Sequence, residues 1–441
     1  MDSNFTDIVF YPKWNTPAAY TTAPYLENAA HKLISMFKNL KRGLITLLVC
    51  ALASNANAQE SDNQKQVSME LYGFAMMDAG HNYRQIDPDW FDVMRVTKLP
   101  ASKNQFGADG FTYFSVRQTR FGVKGYLPTA LGELKTIFEF EMFGTGVDAG
   151  QTTIRLRHAY GELGKVGAGQ YWSPFMDIDV FPNSLEYWGP TGMAFFRNVQ
   201  IRYMPIQGDS RLTFALERPG ASSDQGVYAG RIELQGVRPK LDLPDFSAEY
   251  RHGRNWGYVE LAGILRRLKW EDIDNVAPDL SDTKLGWGLN LSSGLKFLEK
   301  DLLHLSVVYG EGIQNYMNDA PADVAIERKD GNVVEGVALP VFGAVAFYDH
   351  YWNKKFSSTI GYSWVDIDNS NGQSANAFKR GDYGLVNLVY YPVDNVMVGA
   401  EFQYGKRKNH SDGWEVEGYK SQISFKYNFS QKFYRDTKTA P

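Results

Sequence analysis

Cysteine is almost absent: Cys50 is the only one in 441 residues. That scarcity excludes a disulfide framework and leaves no cysteine-based metal or nucleophile site. Long apolar runs are missing too. No stretch approaches the roughly 18 consecutive apolar residues of a membrane-spanning helix. A charge excess of one sign is also lacking. The formal net charge is −4 and the isoelectric point about 6.0, so there is no global pull toward nucleic acid, and any electrostatic function must come from local placement. Neither His-Glu-x-x-His, a phosphate loop nor Gly-x-Ser-x-Gly occurs. The reading is therefore of a non-enzyme without cofactor or metal.

What the chain does have begins with a leader. Residues 36–42 form a basic segment, 43–53 an apolar one, and Ala56-Asn57-Ala58 a small-x-small cleavage site. Cleavage after Ala58 is expected. Residues 1–35 read as an over-extended gene start before Met36. Cys50 falls inside the leader behind Val49, a poor context for lipidation.

Beyond Ala58 the chain repeats runs of about 10–14 residues that alternate with period two. Phe356, Ser358, Ile360, Tyr362 and Trp364 interleave with Ser357, Thr359, Gly361 and Ser363. Ile423, Phe425, Tyr427 and Phe429 interleave with Gln422, Ser424, Lys426 and Asn428. Successive strand residues point to opposite faces, so one face is aromatic and aliphatic, the other small and polar. A soluble barrel with an apolar core would need the reverse; lipid outside and water inside suits this wall. Connections alternate short and long, as expected for periplasmic turns and external loops. Sixteen strands can be counted, from a start near Val67 to one near Gly418, with the weakly alternating 227–235 left in a loop. The predicted architecture is an all-β, sixteen-stranded antiparallel transmembrane barrel over 59–429, followed by a tail at 430–441.

Local motifs then point to a family. The segment from Val67 to Phe74 resembles the first strand of general porins, and Gln118 to Gly125 their second. Arg155-Leu-Arg-His-Ala-Tyr-Gly-Glu162 leads to Gly167-Ala-Gly-Gln-Tyr-Trp-Ser-Pro-Phe-Met-Asp177, then to Gly189-Pro190 and Arg197-Asn-Val-Gln-Ile-Arg-Tyr203. This series is similar to the DcaP-like trimeric porins. The resemblance implies a third loop folded into the lumen and a homotrimer in the outer membrane of a Gram-negative bacterium, in contact with its lipid and lipopolysaccharide. It also implies uptake of small anions, notably dicarboxylates, past an arginine-lined constriction. Two features depart from the family. Only residues 59–66 precede the first strand, too few for a coiled coil, and Phe429 is not the last residue.

Alternation within the strands nominates the basic ladder. Arg120 and Lys124 share a face with Gln118; Arg155 and Arg157 share one face of their strand; Arg202 lies with Asn198 and Gln200. Planar guanidinium forks hold carboxylates well and compensate for lost hydration, which makes such a ladder suited to anions. Arg266 is a weaker candidate, and Arg197 reads as outward or rim-facing by parity. His158, alternating with Ile154 and Leu156, is expected on the wall or a subunit contact. In the third loop, Asp177, Asp179 and Glu186 would either set a transverse field against the ladder or pair with arginines and pin the loop. Gly208-Asp-Ser-Arg211 reads as a strand turn rather than a nucleophile motif, and Asp366 to Gly372 as a solvated loop rather than a calcium site. Two other functions would fit a barrel: an adhesive or structural role, which predicts a lumen filled with apolar side chains, and a barrel hydrolase.

Overall fold

The computed structural model describes residues 66–220, 237–240, 242–273, 281–298, 300–329 and 333–435. The leader, residues 1–35 and the loop segment 227–235 lie outside them. Sixteen strands make the wall. They are β1 (Ser68–Asn82), β2 (Phe111–Ser115 and Arg120–Thr129, interrupted), β3 (Gly132–Phe143), β4 (Thr152–Leu163), β5 (Val166–Trp172), β6 (Arg197–Ile206), β7 (Arg211–Glu217) and β8 (Asp245–Arg254). Then follow β9 (Gly257–Asp272), β10 (Asp282–Phe297), β11 (Asp301–Glu311), β12 (Pro340–Tyr351), β13 (Phe356–Ile367), β14 (Phe378–Tyr390), β15 (Val396–Asn409) and β16 (Glu415–Tyr434). Each pairs antiparallel with the next. β1 pairs with β16, Ser68 opposite Tyr434 and Asn82 opposite Lys420, which closes the sheet and leaves no edge.

Alternation decides which side of the wall each residue meets. Leu285, Leu289 and Leu291 of β10 point outward and are more than half exposed, while the adjacent Asn290 and Ser292 are buried inside. Each leucine taken from water into lipid contributes about 2 kcal/mol, so this surface is stable only in a bilayer. Connections alternate as expected: 130–131, 164–165 and 255–256 are short, whereas 83–110, 173–196 and 312–339 are long.

Those three long loops fold into the barrel, and their apolar residues meet there. Met94 and Leu99 of the first, Phe175 and Met193 of the third, and Ile313 and Tyr316 of the sixth pack with Val345 and Phe347 of β12. The sixth loop carries its own hairpin, Val324–Lys329 with Val333–Ala338. Wall carboxylates bind the backbone of the third loop. Glu401 accepts the amides of Leu185 (2.7 Å) and Glu186 (3.0 Å), and Asp349 that of Asn183 (3.2 Å). A loop is held inside a barrel only when its own polar groups find such partners.

One boundary is corrected. The last strand does not stop at Phe429 but runs to Tyr434, so residues 430–434 are wall rather than tail. The reason is that β1 begins at Ser68 and offers its backbone to them. Truncation after Phe429 is expected to cost about 3 kcal/mol, at roughly 1 kcal/mol per lost ladder hydrogen bond. A lowered urea midpoint for the heat-modifiable folded band would show it.

Candidate functional site

Glu139 and Glu141 alternate with Phe138 and Phe140 on β3, so both carboxylates enter the lumen. Arg155 lies opposite Glu141 in register. Its Nε and Nη2 donate to Glu141 Oε1 at 3.0 and 2.5 Å. Arg157 bridges both acids: Nη1 reaches Glu141 Oε2 at 2.5 Å and Nε reaches Glu139 Oε1 at 2.7 Å. Arg120 of β2 lies 3.5 Å from Glu141 and 3.8 Å from Glu139, and Arg197 of β6 lies 3.7 Å from Glu141. Four guanidiniums thus converge on two carboxylates. The third loop joins through Tyr187, whose hydroxyl donates to Glu141 at 2.5 Å.

Two orientations differ from the alternation rule. Pairing between β3 and β4 shifts so that Phe140 opposes Leu156 but Glu139 opposes His158, leaving Arg157 as the extra residue of a bulge. A bulge reverses which residues face inward. His158 therefore leaves the outer wall expected for it and packs inside, 4.7 Å from the Tyr171 ring and 4.8 Å from that of Trp172. Arg197, read by parity as outward or rim-facing, is buried over the Trp172 ring at 5.5 Å. It is the first residue of β6, where the chain is still leaving the loop and strand parity does not yet bind.

A cavity of about 560 Å³ lies between the third loop and the wall from β15 and β16 through β1 to β6. Seven cations line it: Arg95, Arg120, Lys124, Arg155, Arg157, Arg197 and Lys426. Four belong to the predicted ladder. Arg202 does not line it; its guanidinium lies over the Tyr160 and Tyr171 rings and donates to Gln200 and the Trp172 carbonyl. Arg266 is buried elsewhere, with Asp245 and Asp323, each at 3.0 Å. Arg95 and Lys426 escaped the sequence reading. Lys426 stands in the polar row of its strand, but Arg95 comes from the first loop, where no periodicity marks it. Its guanidinium lies 4.1 and 4.0 Å from the Trp90 and Trp188 rings and 2.9 Å from Asp319.

Of the three loop acids, Asp177 and Asp179 do not line this cavity, and Glu186, which does, has its carboxylate engaged by backbone amides. Asp177 and Asp179 each contact Arg251 of β8 at 2.5 Å, and Asp177 also accepts from Tyr258 and Ser292. Glu186 accepts the amides of Met94 (2.9 Å) and Gly189 (2.5 Å). Asp177 and Glu186 are buried and pin the loop; Asp179 stays half exposed. Burial pushes the Glu186 carboxyl up to about 7; Glu401 adds to the rise, and Lys420 and the two amides oppose it.

The profile of the DcaP outer membrane protein family matches residues 32–429. No curated protein matches the sequence. Among solved structures, the outer membrane channel DcaP of Acinetobacter baumannii is similar at 20% identity and a TM-score of 0.70, over 84% of this chain and 100% of that one. The anion-selective porin from Comamonas acidovorans is similar at 11% identity and a TM-score of 0.53, over 82% and 100%. OmpT of Vibrio cholerae, in a trimer form, is similar at 11% and 0.50, over 83% and 100%.

Replacing Glu141 by Gln strands the guanidiniums that share it and is expected to destabilise the barrel by about 3 kcal/mol, measured by chemical denaturation. The Glu186 anchor has a different signature. A carboxyl raised on folding contributes stability that is complete below its ordinary value of 4.5 and lost as pH rises through about 7. Third-loop proteolysis should therefore accelerate across that window, and Glu186→Gln should flatten the dependence.

Proposed function

Because the chain belongs to the DcaP outer membrane protein family, and its fold is that of outer-membrane channel porins, we propose that it passes small anions of the dicarboxylate type. One observation carries the reading: four guanidiniums meet only two carboxylates on the cavity wall, an excess of positive charge in a confined lumen. A carboxylate entering there exchanges water for guanidinium donors, and a low-dielectric surrounding strengthens that exchange. Arg120, Arg155, Arg157 and Arg197 supply the positive wall, with Lys124 alongside. Asp179, the third-loop acid left half exposed, is paired with Arg251 of β8 and lies outside this basic wall.

Assembly as a homotrimer belongs to the same reading. Phe114 and Ile154 stand outward on β2 and β4 at 73% and 72% exposure, and Val147 in the loop between β3 and β4 at 96%. Apolar side chains so exposed suit contact with another copy as well as with lipid.

A second reading draws on the apolar core that the first, third and sixth loops build inside the barrel, which an adhesive or structural barrel would also display. Conductance separates the two. In a planar bilayer under a salt gradient, the purified protein is expected to carry anion-selective current that succinate partly blocks. The double variant Arg155→Ala/Arg157→Ala should lower that selectivity about tenfold, while the heat-modifiable band reports its assembly. Cation preference would overturn the anion reading, and a closed barrel would favour the adhesive one.

A further inference from the structure

Six of the seven cations around the cavity have a carboxylate within 4 Å: Arg95 has Asp319, Lys124 has Glu70, and Arg120, Arg155, Arg157 and Arg197 have Glu141. Lys426 has none among the described residues. Its surroundings explain why. It projects into the lumen from β16 in the row of Lys420, Gln422 and Ser424, whose polar groups are already engaged with the Asp92 carbonyl and the Asp78 carboxylate. Its cross-strand neighbours in register are Met76 of β1 and Met397 of β15, both buried and apolar. The ammonium instead rests 4.1 Å from the centre of the Phe74 ring. From the other side of β1, the Arg120 guanidinium approaches the same ring at 5.2 Å, and its Nε makes no hydrogen bond.

Two like charges drawn to one aromatic ring repel each other, and a cation–π contact replaces little of the hydration that an ammonium gives up. An ionisable group kept at membrane depth at such a cost points to a transient partner of opposite charge. We infer that Lys426, with Arg120 across the ring of Phe74, forms the seat that takes the carboxylate of a permeating small organic anion. Lys426 is thereby the specificity-determining cation of the pore. The compensated arginines shape the field, whereas Lys426 has all three donors available for a solute, and Phe74 meets the carbon next to the carboxylate. The inference rests on the anion-channel reading.

The test replaces Lys426 by Met, a change that leaves no hydrogen-bonded partner stranded, and measures succinate block and reversal potential in a planar bilayer. Block is expected to weaken at least about fivefold, the loss of one charge-assisted contact, and anion preference to fall. A charge-restoring variant guards against a folding effect. In a Cys50→Ser background, Lys426→Cys treated with an ammonium-bearing methanethiosulfonate should recover block, and a sulfonate-bearing one should abolish it. Unchanged block in Lys426→Met, with the parent channel anion-selective, would overturn the seat and leave the channel reading intact. A parent channel without anion preference would overturn both.

Discussion

The shared carboxylate of Glu141 is the contact on which the wall and the third loop both depend. It is buried, and a buried carboxylate without partners is unstable, so it must be met by donors from several directions. Arg155 and Arg157 come from β4, Tyr187 from the loop, and Arg120 and Arg197 stand close by. The arginines need the acid as much as it needs them, because four guanidiniums packed alone would repel. The Tyr187 ring then stacks on Phe143 of β3 at 3.9 Å, so the same residue carries the charge contact and the apolar one.

The lumen is consequently divided. On one side the first, third and sixth loops close an apolar core against β12 and its neighbours. On the other, the wall from β15 and β16 through β1 to β6 faces a polar cavity lined by cations and aromatic rings. A sixteen-stranded barrel would otherwise leave a wide aqueous pore. Folding three loops inside narrows the open space to the cavity beside the basic wall.

Much of this arrangement is legible in the order of the amino acids. Sixteen strands, their short and long connections and the inward placement of Arg120, Lys124, Arg155 and Arg157 all follow from period-two alternation, a local property of the backbone. Alternation fails where the backbone departs from a regular ladder. The bulge beside Arg157 turns His158 inward, and the loop exit at the start of β6 does the same for Arg197. Nor does alternation say which acids meet which bases. Asp177 and Asp179 lie within a few residues of strand β5 in the chain, yet their partner Arg251 is on β8.

The barrel itself needs no more than the residue order, because the side of a strand that meets lipid is written into every second position. The cationic character of one stretch of wall is equally local, because Arg155 and Arg157 share a strand. How much of that charge is free is settled only in three dimensions. Compensation depends on carboxylates brought from other strands and from loops folded into the lumen, as Glu141 is to Arg120 and Arg197. It depends equally on their absence, as at Lys426, which meets no carboxylate among the described residues and whose neighbours across both strands are methionines. Pairing of that kind is a matter of distance in space, which alternation along one strand does not encode.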